Sequence, residues 1–379
     1  MKVLVTGGAG FVGSFLCEEL HRQGFDIRIL DCFEPQVHEG GTDNLSSLKT
    51  PAGAFKPGVQ LLQGDVRNRT ELESALVGVD AIIHLAAQVG VGQSMYEIER
   101  YVSHNTSGTA VLLELLANRK HSVRKVVVAS SMSIYGEGAY DCKNCGEVYP
   151  ILRSSAQLEA SEWEMNCPKC GVTVAPKPTP ESKPLLPTSI YAITKRDQEE
   201  MCLTVGRAYG IPTAALRFFN IYGPRQSLNN PYTGVAAIFS SRLLNGRSPV
   251  VFEDGNQSRD FVHVTDIVQA IVLALTKPEA DFETFNVGTG RSTSIRRVAE
   301  LLAEKLGVDI APQIENKFRE GDIRHCYADT RKISQKLGYA PQVDFEKGIS
   351  DLIDWARSQK AEDKFDKATV ELHSRGLAH

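Results

Sequence analysis

The amino-acid sequence predicts an α/β fold built on a doubly wound parallel sheet. The apolar run Val3-Leu-Val enters a glycine-rich turn, and a helical pattern follows over residues 11–20. Apolar strands then alternate with helical patterns as far as residue 217. Such βα alternation requires parallel strands with helices on both faces of the sheet.

The glycine-rich turn favours binding of a dinucleotide. Gly7, Gly10 and Gly13 have the spacing G-x-x-G-x-x-G, a variant of the usual fingerprint, and a helix starts within the turn. Its free N–H groups and the positive end of its dipole suit a pyrophosphate. Asp31 ends the second apolar strand, where a carboxylate holds a ribose diol and disfavours a 2′-phosphate. The sequence therefore predicts a Rossmann domain that binds NAD.

The other elements follow from hydrophobic periodicity. Strands are predicted at 60–63, 81–85, 125–128 and 213–217, and helices at 95–118, 189–209, 235–244, 264–275 and 294–306. The alternation ends near residue 224. We therefore predict an NAD-binding domain at 1–137 and 188–224, a cysteine-rich insert at 138–187, a mainly substrate-binding region at 225–356, and a loosely held polar tail at 357–379.

Composition excludes several classes of partner. The 379 residues are 42% hydrophobic and 23% charged, with a net charge of -4, which gives no electrostatic footprint for nucleic acid. No apolar run approaches the roughly 20 residues that span a bilayer, and the first strand begins too early for a signal peptide. We expect a cytoplasmic protein with neither a nucleic-acid nor a membrane partner.

Four of the eight cysteines form two C-x-x-C pairs, which are Cys142, Cys145, Cys167 and Cys170. Gly146 and Gly171 follow the pairs and permit tight turns. Four thiolates in this arrangement favour a closed tetrahedral zinc site, which would give the polar insert a fixed shape. The alternative is four reduced cysteines in a loop. Because the insert separates Ser131 from Tyr191, we expect it to frame the pocket.

Tyr191 and Lys195 have i, i+4 spacing on a predicted helix, so both side chains share one face. A cation beside a phenol favours the phenolate, and the tyrosine could then act as a general base near neutral pH. Ser131 ends a predicted strand, where its hydroxyl can face the same pocket.

Seven segments together resemble the extended short-chain dehydrogenase/reductases that act on nucleotide sugars. The resemblance covers nearly the whole chain outside the insert and the tail. It rests on Thr6-Gly-Gly-Ala-Gly-Phe-Val-Gly13, Gly64-Asp65-Val66, His84-Leu-Ala-Ala87, Asn105, Ser130-Ser131, Tyr191-x-x-x-Lys195 and Arg217-Phe-Phe-Asn220-Ile-Tyr-Gly-Pro224.

The resemblance implies a role for each matching residue. NAD would be bound by Gly7, Gly10, Phe11, Val12, Asp31, Asp65, Val66, Leu85, Ala86, Ala87, Asn105, Tyr191, Lys195 and Phe218. A nucleotide-diphosphate sugar would be bound by Ser131, Ser133, Asn220, Arg259, Arg319 and Asp322, with surface ion pairs as the alternative for the two arginines. Catalysis would fall to Ser131, Tyr191 and Lys195. The helices at 95–118 and 189–209 would pair in a homodimer.

The resemblance also narrows the reaction. Dehydratases and decarboxylases of the family place acids just after the serine, where this chain has Met132 and Ser133. A 4-epimerase is therefore implied, in which C4 is oxidised to a ketone and hydride returns to its opposite face. The insert and two loops, 229–234 and 252–255, resemble the group that acts on dTDP-L-rhamnose. UDP-glucose or UDP-uronate stays open as substrate. An NADPH-dependent 4-ketoreductase and a non-catalytic NAD-binding sensor or scaffold stay open as functions.

Overall fold

A computed structural model describes residues 1–38, 43–232 and 234–378 of the chain. Its centre is a sheet of seven parallel strands, which confirms the predicted fold class. From one edge to the other the strands are Thr284–Val287, Thr213–Phe218, Lys125–Ser131, Ala81–His84, Lys2–Thr6, Asp26–Asp31 and Val59–Gln63. The order reverses between the strands Lys2–Thr6 and Ala81–His84, and ligands of such sheets bind at that point.

Helices cover both faces of the sheet and bury a separate apolar cluster on each. One face carries the helices Phe11–Arg22 and Val264–Thr276. The other face carries Arg69–Leu76, Gly108–Asn118 and Ile190–Tyr209. Leu16 on the first face and Leu112 on the second are both fully buried, as expected for a layer of helices packed on a sheet.

The chain returns to the central sheet after residue 225. Helix Val264–Thr276 and strand Thr284–Val287 both belong to this layer, although the region 225–356 was expected to be mainly substrate-binding. A third apolar cluster holds the rest of that region together. Its helices are Val235–Leu244, Ile295–Leu306 and Phe345–Ala356, and Arg331–Leu337 is a further helix nearby in sequence.

The prediction of one helix from residue 95 to 118 is wrong at its start. A short helix, Val91–Ser94, ends before Met95, and the long helix begins with Ile98–Tyr101. A π-helical segment, Val102–Ser107, then leads into Gly108–Asn118. A π-helical segment changes which side chains face the core, and such segments occur often at functional sites.

The insert forms a small sheet of its own, with strands Ala139–Cys142, Gly146–Val148 and Ala175–Lys177. The expectation of a loosely held tail is wrong. Residues Phe365–Ser374 form a helix, called here the C-terminal helix, and it buries Ala368 and Leu372. None of the helices in the described part of the chain has the length and hydrophobicity needed to cross a membrane.

Candidate active site

A cavity of about 620 Å³ lies at the carboxyl ends of the central strands, where the strand order reverses. Its walls include every residue predicted to bind the cofactor or the substrate except Asn105. The fold therefore brings together residues that are as many as 315 positions apart in the sequence, from Gly7 to Asp322. Their individual roles in binding stay predictions.

The glycine turn packs too tightly for larger side chains. Gly7 has a φ of 71°, and a Cβ there would lie 2.9 Å from the backbone nitrogen of Ala86. A Cβ on Gly13 would lie 2.3 Å from the carbonyl oxygen of Gly7. Helix Phe11–Arg22 has no side-chain cap, and its first-turn residues Phe11 and Val12 line the cavity. This end of the cavity fits a pyrophosphate.

Asp31 is buried at the wall of the cavity and held by the backbone. One carboxylate oxygen accepts a hydrogen bond from Ala9 N at 2.9 Å, and the other accepts one from Phe33 N at 2.9 Å. His38 Nε2 lies 3.3 Å from the second oxygen. A carboxylate has about four acceptor positions, so Asp31 keeps acceptor capacity for a ribose hydroxyl.

Tyr191 and Ser131 both line the cavity and share a side-chain hydrogen bond, although 59 residues separate them. Tyr191 lies in the first turn of helix Ile190–Tyr209, whose N-cap Ser189 accepts a hydrogen bond from Ala192 N. Its backbone N–H also donates to Ser94 Oγ at 3.0 Å. Burial raises the pKa of Tyr191, and the side-chain hydrogen bond with Ser131 opposes that rise.

Lys195 lines the cavity, and its Nζ donates to Gln198 Oε1 at 2.7 Å. Burial lowers the pKa of Lys195 to about 8, and the nearby Cys202 and Glu199 oppose this shift. Desolvation is the largest influence on the pKa of Tyr191, and the lowering by Lys195 stays a prediction. Gln198 was missed by sequence reasoning, although its i, i+3 spacing from Lys195 puts both on one helix face.

Asn105 does not line the cavity, contrary to its predicted contact with the cofactor. Its fully buried amide accepts from Gln88 N at 2.7 Å and donates to Thr194 Oγ1 at 2.9 Å. A second donation reaches Gln88 O at 3.1 Å. Asn105 thus ties the cavity-lining residue Gln88 to the helix that carries Tyr191.

Two arginines line the opposite end of the cavity. The guanidinium of Arg259 donates to three backbone carbonyls, at distances of 2.7 to 3.0 Å, which fixes its orientation. Arg319 lies 4.7 Å from the ring centre of Phe252 and donates to Asp322 Oδ2 at 2.8 Å. Two fixed cations at one end of a cavity suit a diphosphate.

Three buried side-chain oxygens on the cavity wall have no hydrogen-bond partner among the described residues. They are Oδ1 of Asn220, Oε1 of Gln226 and Oε1 of Gln257. Buried acceptors are nearly always satisfied in proteins, so these atoms indicate contact with donors of a ligand or of water. Only Asn220 was predicted, because the two glutamines lie outside the pattern that carried the family resemblance.

The four predicted cysteines do converge. Their Sγ atoms all lie within 4.8 Å of one another, and those of Cys142 and Cys170 are 3.6 Å apart. Tetrahedral zinc with Zn–S bonds of about 2.3 Å requires sulfurs about 3.8 Å apart. Lys169 N donates to Cys167 Sγ at 3.4 Å, which stabilises a thiolate at that position. The cysteine cluster therefore fits a structural zinc ion.

No described residue of the insert, 138–187, lines the cavity. The insert instead contacts the segments that do. Buried Arg153 pairs with Glu253 at 2.8 Å and donates to the carbonyl of Asp322 at 3.3 Å. Glu164 pairs with Arg324 and His325, and the hydrogen bond from His325 lowers the pKa of Glu164 to about 2. The insert frames the cavity from the layer behind its wall.

The C-terminal helix, by contrast, forms part of the wall. Phe365, Ala368, Thr369 and Leu372 line the cavity, and Leu377 joins them just beyond the helix. Ion pairs of Arg242 with Asp363 and Asp366, and of Arg375 with Glu371, surround this segment. The spacing of Phe365, Ala368 and Leu372 is that of one helix face, a signal that was present in the sequence.

Residues 3–152 match the NAD dependent epimerase/dehydratase family, and residues 173–352 match GDP-mannose 4,6 dehydratase. The dTDP-L-rhamnose 4-epimerase of Burkholderia thailandensis is 35% identical, over 93% of this chain and 94% of that protein. A putative UDP-glucose 4-epimerase of Methanocaldococcus jannaschii is 31% identical, over 94% of this chain and 98% of that protein.

Solved structures show the same likeness. UDP-glucuronic acid 4-epimerase from Bacillus cereus, in complex with UDP-glucuronic acid and NAD, has a TM-score of 0.76 at 27% identity, with 94% and 99% of the two chains covered. The chain belongs to the NAD-dependent epimerase/dehydratase family of extended short-chain dehydrogenase/reductases, and it is an enzyme. The relatives named here are epimerases, which are isomerases.

Proposed function

We propose that this protein is an NAD-dependent nucleotide-sugar 4-epimerase, with dTDP-L-rhamnose as its substrate. The observation that carries the proposal is the meeting of Ser131 and Tyr191 in a cavity with an anion-binding turn at one end and fixed arginines at the other. A cofactor pyrophosphate fits the first end and a sugar diphosphate the second. The reacting sugar carbon would lie between them.

The residues present fit NAD. The uncapped helix start would hold the pyrophosphate, and Asp31 would hold the ribose of its adenosine half. Lys195 would contact the ribose beside the nicotinamide, and Phe218 would pack near the ring. When bound, NAD accepts a hydride from the sugar and gives it back.

The protein side of the reaction is a proton transfer. Ser131 would hold the hydroxyl on C4 by a hydrogen bond, and Tyr191 would take its proton as C4 loses hydride, which leaves a 4-keto sugar. The 4-keto sugar would then turn over within the cavity and present the other face of C4. For the return step hydride would reach that face while Tyr191 gives the proton back to O4. Atoms and electrons balance, because each oxidation is reversed within the same site.

The carboxylates on the cavity wall argue against loss of water. They are Asp31, Glu34, Asp65, Glu253, Glu320 and Asp322, and none lies on the segments 130–133 or 188–195 that surround the reacting carbon. Met132 and Ser133 occupy the positions where a dehydratase of the family needs acids. The set of side chains thus supports a 4-epimerase rather than a 4,6-dehydratase.

The choice of dTDP-L-rhamnose rests on the 35% identical relative from Burkholderia thailandensis. We also propose one structural zinc ion on the four cysteines, and a homodimer. Ile98, Val102 and Ile193 are 40 to 50% exposed on the two helices that the family resemblance assigns to the dimer interface. Such exposed apolar side chains are candidates for contact with a second copy.

The proposed function can be tested by incubating purified protein, without added nicotinamide, with dTDP-L-rhamnose, UDP-glucose and UDP-glucuronate. We expect the C4 epimer of dTDP-L-rhamnose as the product, detected by nuclear magnetic resonance. The Tyr191→Phe variant, which loses only the phenolic oxygen, should keep its NAD and lose at least about 99% of activity, the size of a general-base contribution. Turnover that requires stoichiometric NADPH and yields a reduced sugar would contradict the proposal.

A further inference from the structure

The C-terminal helix and the segment after it contact both ends of the proposed sugar site. Leu372 lies against Gly92, since a Cβ on that glycine would be 3.4 Å from Leu372 Cδ2. Gly92 belongs to the short helix Val91–Ser94, and Ser94 Oγ accepts the backbone N–H of Tyr191. Leu372 therefore contacts the same short helix that hydrogen-bonds to the backbone of Tyr191, the proposed catalytic base.

The segment after the helix reaches the arginine end. The carbonyl of Leu377 accepts a hydrogen bond from Glu320 N at 3.2 Å, and Ala378 forms a backbone bridge with Arg319. The chain from Leu372 to Ala378 thus runs along the cavity from the neighbourhood of Tyr191 to the predicted diphosphate site. A sugar held between these two points would face this segment.

The wall at this place is apolar. Leu372 and Leu377 come from the C-terminal segment, and Val91 and Met95 come from the segment that Leu372 contacts at Gly92. The lysine and arginine side chains on the described wall are Lys195, Arg259 and Arg319, and none belongs to either segment. Beside Leu372, at the end away from Arg319, a carboxylate would be desolvated without a cation, whereas a methyl group would gain from burial.

We propose that the C-terminal helix and the residues just after it determine specificity for the sugar. Leu372 of the helix and Leu377 beyond it, with Val91 and Met95, accept the C6 methyl group of a 6-deoxy sugar. This inference rests on the proposed function, because it assumes that a nucleotide sugar occupies the cavity. It ranks three ligands. The 6-deoxy sugar binds best, a hexose with a C6 hydroxyl binds less well, and a uronate with a C6 carboxylate binds least.

The test measures dissociation constants of dTDP-L-rhamnose, dTDP-glucose and dTDP-glucuronate by calorimetry in the Tyr191→Phe background, where at most about 1% of turnover is expected. Leu372→Ala should weaken binding of dTDP-L-rhamnose about tenfold, the usual value of one buried methyl contact, and should leave dTDP-glucuronate nearly unchanged. Val370→Ala is the matched control, because Val370 lies on the same helix and is 68% exposed. It should change no constant.

A gain of binding separates specificity from damage to the fold. Leu372→Lys places an ammonium at the wall and should strengthen binding of dTDP-glucuronate relative to dTDP-L-rhamnose at least tenfold. Equal changes for all three ligands in Leu372→Ala, or no shift in the ratio for Leu372→Lys, would overturn the inference. If wild-type protein binds and turns over only UDP-glucose, the proposal of dTDP-L-rhamnose as substrate is wrong. The same variants, assayed with UDP-glucose, would then decide whether the C-terminal helix contacts the sugar.

Discussion

The cysteine insert and the C-terminal helix differ in how each contributes to the cavity. The insert was expected to frame the pocket, and it does so from behind, without lining the cavity. The tail was expected to be loosely held, yet its helix supplies four residues of the wall. The insert carries a compact apolar cluster and four converging thiols, whereas the tail depends on the rest of the protein for burial. The two C-x-x-C pairs, a strong sequence motif, thus belong to a region that supports the cavity from outside. The C-terminal helix, which has only a weak sequence signal, lines the cavity itself.

This comparison predicts that the two regions affect different parts of the substrate. The insert contacts Glu253 and Asp322 near the arginine end, so changes in it should alter binding of the nucleotide diphosphate. The C-terminal helix faces the sugar, so changes in it should alter the ratio between sugars and leave binding of bare dTDP unchanged. Bare dTDP is therefore the ligand that distinguishes them.

Loss of the proposed zinc should have the largest effect. Structural zinc sites provide folding free energy directly, so Cys145→Ser and Cys170→Ser should lose close to one zinc ion per chain and disorder the insert. Binding of dTDP should weaken more than tenfold while NAD content stays unchanged. Metal analysis measures the zinc content and calorimetry measures the binding of dTDP. Lys143→Ala, at an exposed position, is the control. Wild-type protein without zinc, or cysteine variants that bind dTDP normally, would refute this prediction.

Breaking the buried pair between insert and cavity wall should have a smaller effect. Arg153 and Glu253 are 1% and 3% exposed and 2.8 Å apart, and Arg324 also pairs with Glu253. Arg153→Ala should lower the free energy of unfolding by about 3 kcal/mol, the lower end of the range for breaking a buried pair, because Glu253 loses one of its two partners and keeps Arg324. It should also raise the KM. Glu253 is the chain neighbour of Phe252, and the ring of Phe252 lies beside Arg319 at the predicted diphosphate site.

Lys177 offers a matched control for that change. It pairs with Glu147 at 2.8 Å within the insert, but both side chains are at least a third exposed. Lys177→Ala should therefore lower the free energy of unfolding by less than about 1 kcal/mol and leave the KM unchanged. Chemical denaturation and steady-state kinetics on both variants give the comparison. Equal losses of stability would show that the buried pair does not anchor the insert.

Sequence reasoning succeeded where a pattern is local. The turn at Gly7, the pair Tyr191 and Lys195, and the two C-x-x-C pairs each occupy a few consecutive positions whose spacing dictates geometry. The strands were found because buried parallel strands are continuous apolar runs. These features predicted the fold class and the convergence of the four cysteines, and all but one of the predicted binding residues lie on the cavity wall.

Sequence reasoning failed where a residue's environment comes from distant parts of the chain. The amide of Asn105 is used by Gln88 and Thr194, 17 and 89 positions away, so it does not reach the cavity. The pKa of Tyr191 is governed by burial, which spacing does not reveal. The tail has only a short apolar face, at Phe365, Ala368 and Leu372, and its partner surface lies some 270 positions earlier, around Gly92.

The central claim is that one site removes hydride from C4 and returns it to the same carbon. The most direct test uses dTDP-L-rhamnose carrying deuterium at C4, incubated with the purified protein in ordinary water and without added nicotinamide. We predict that the C4 epimer forms and retains its deuterium at C4, because the hydride never leaves the site. An epimer that has exchanged its deuterium for solvent hydrogen, or a dehydrated product, would contradict the account.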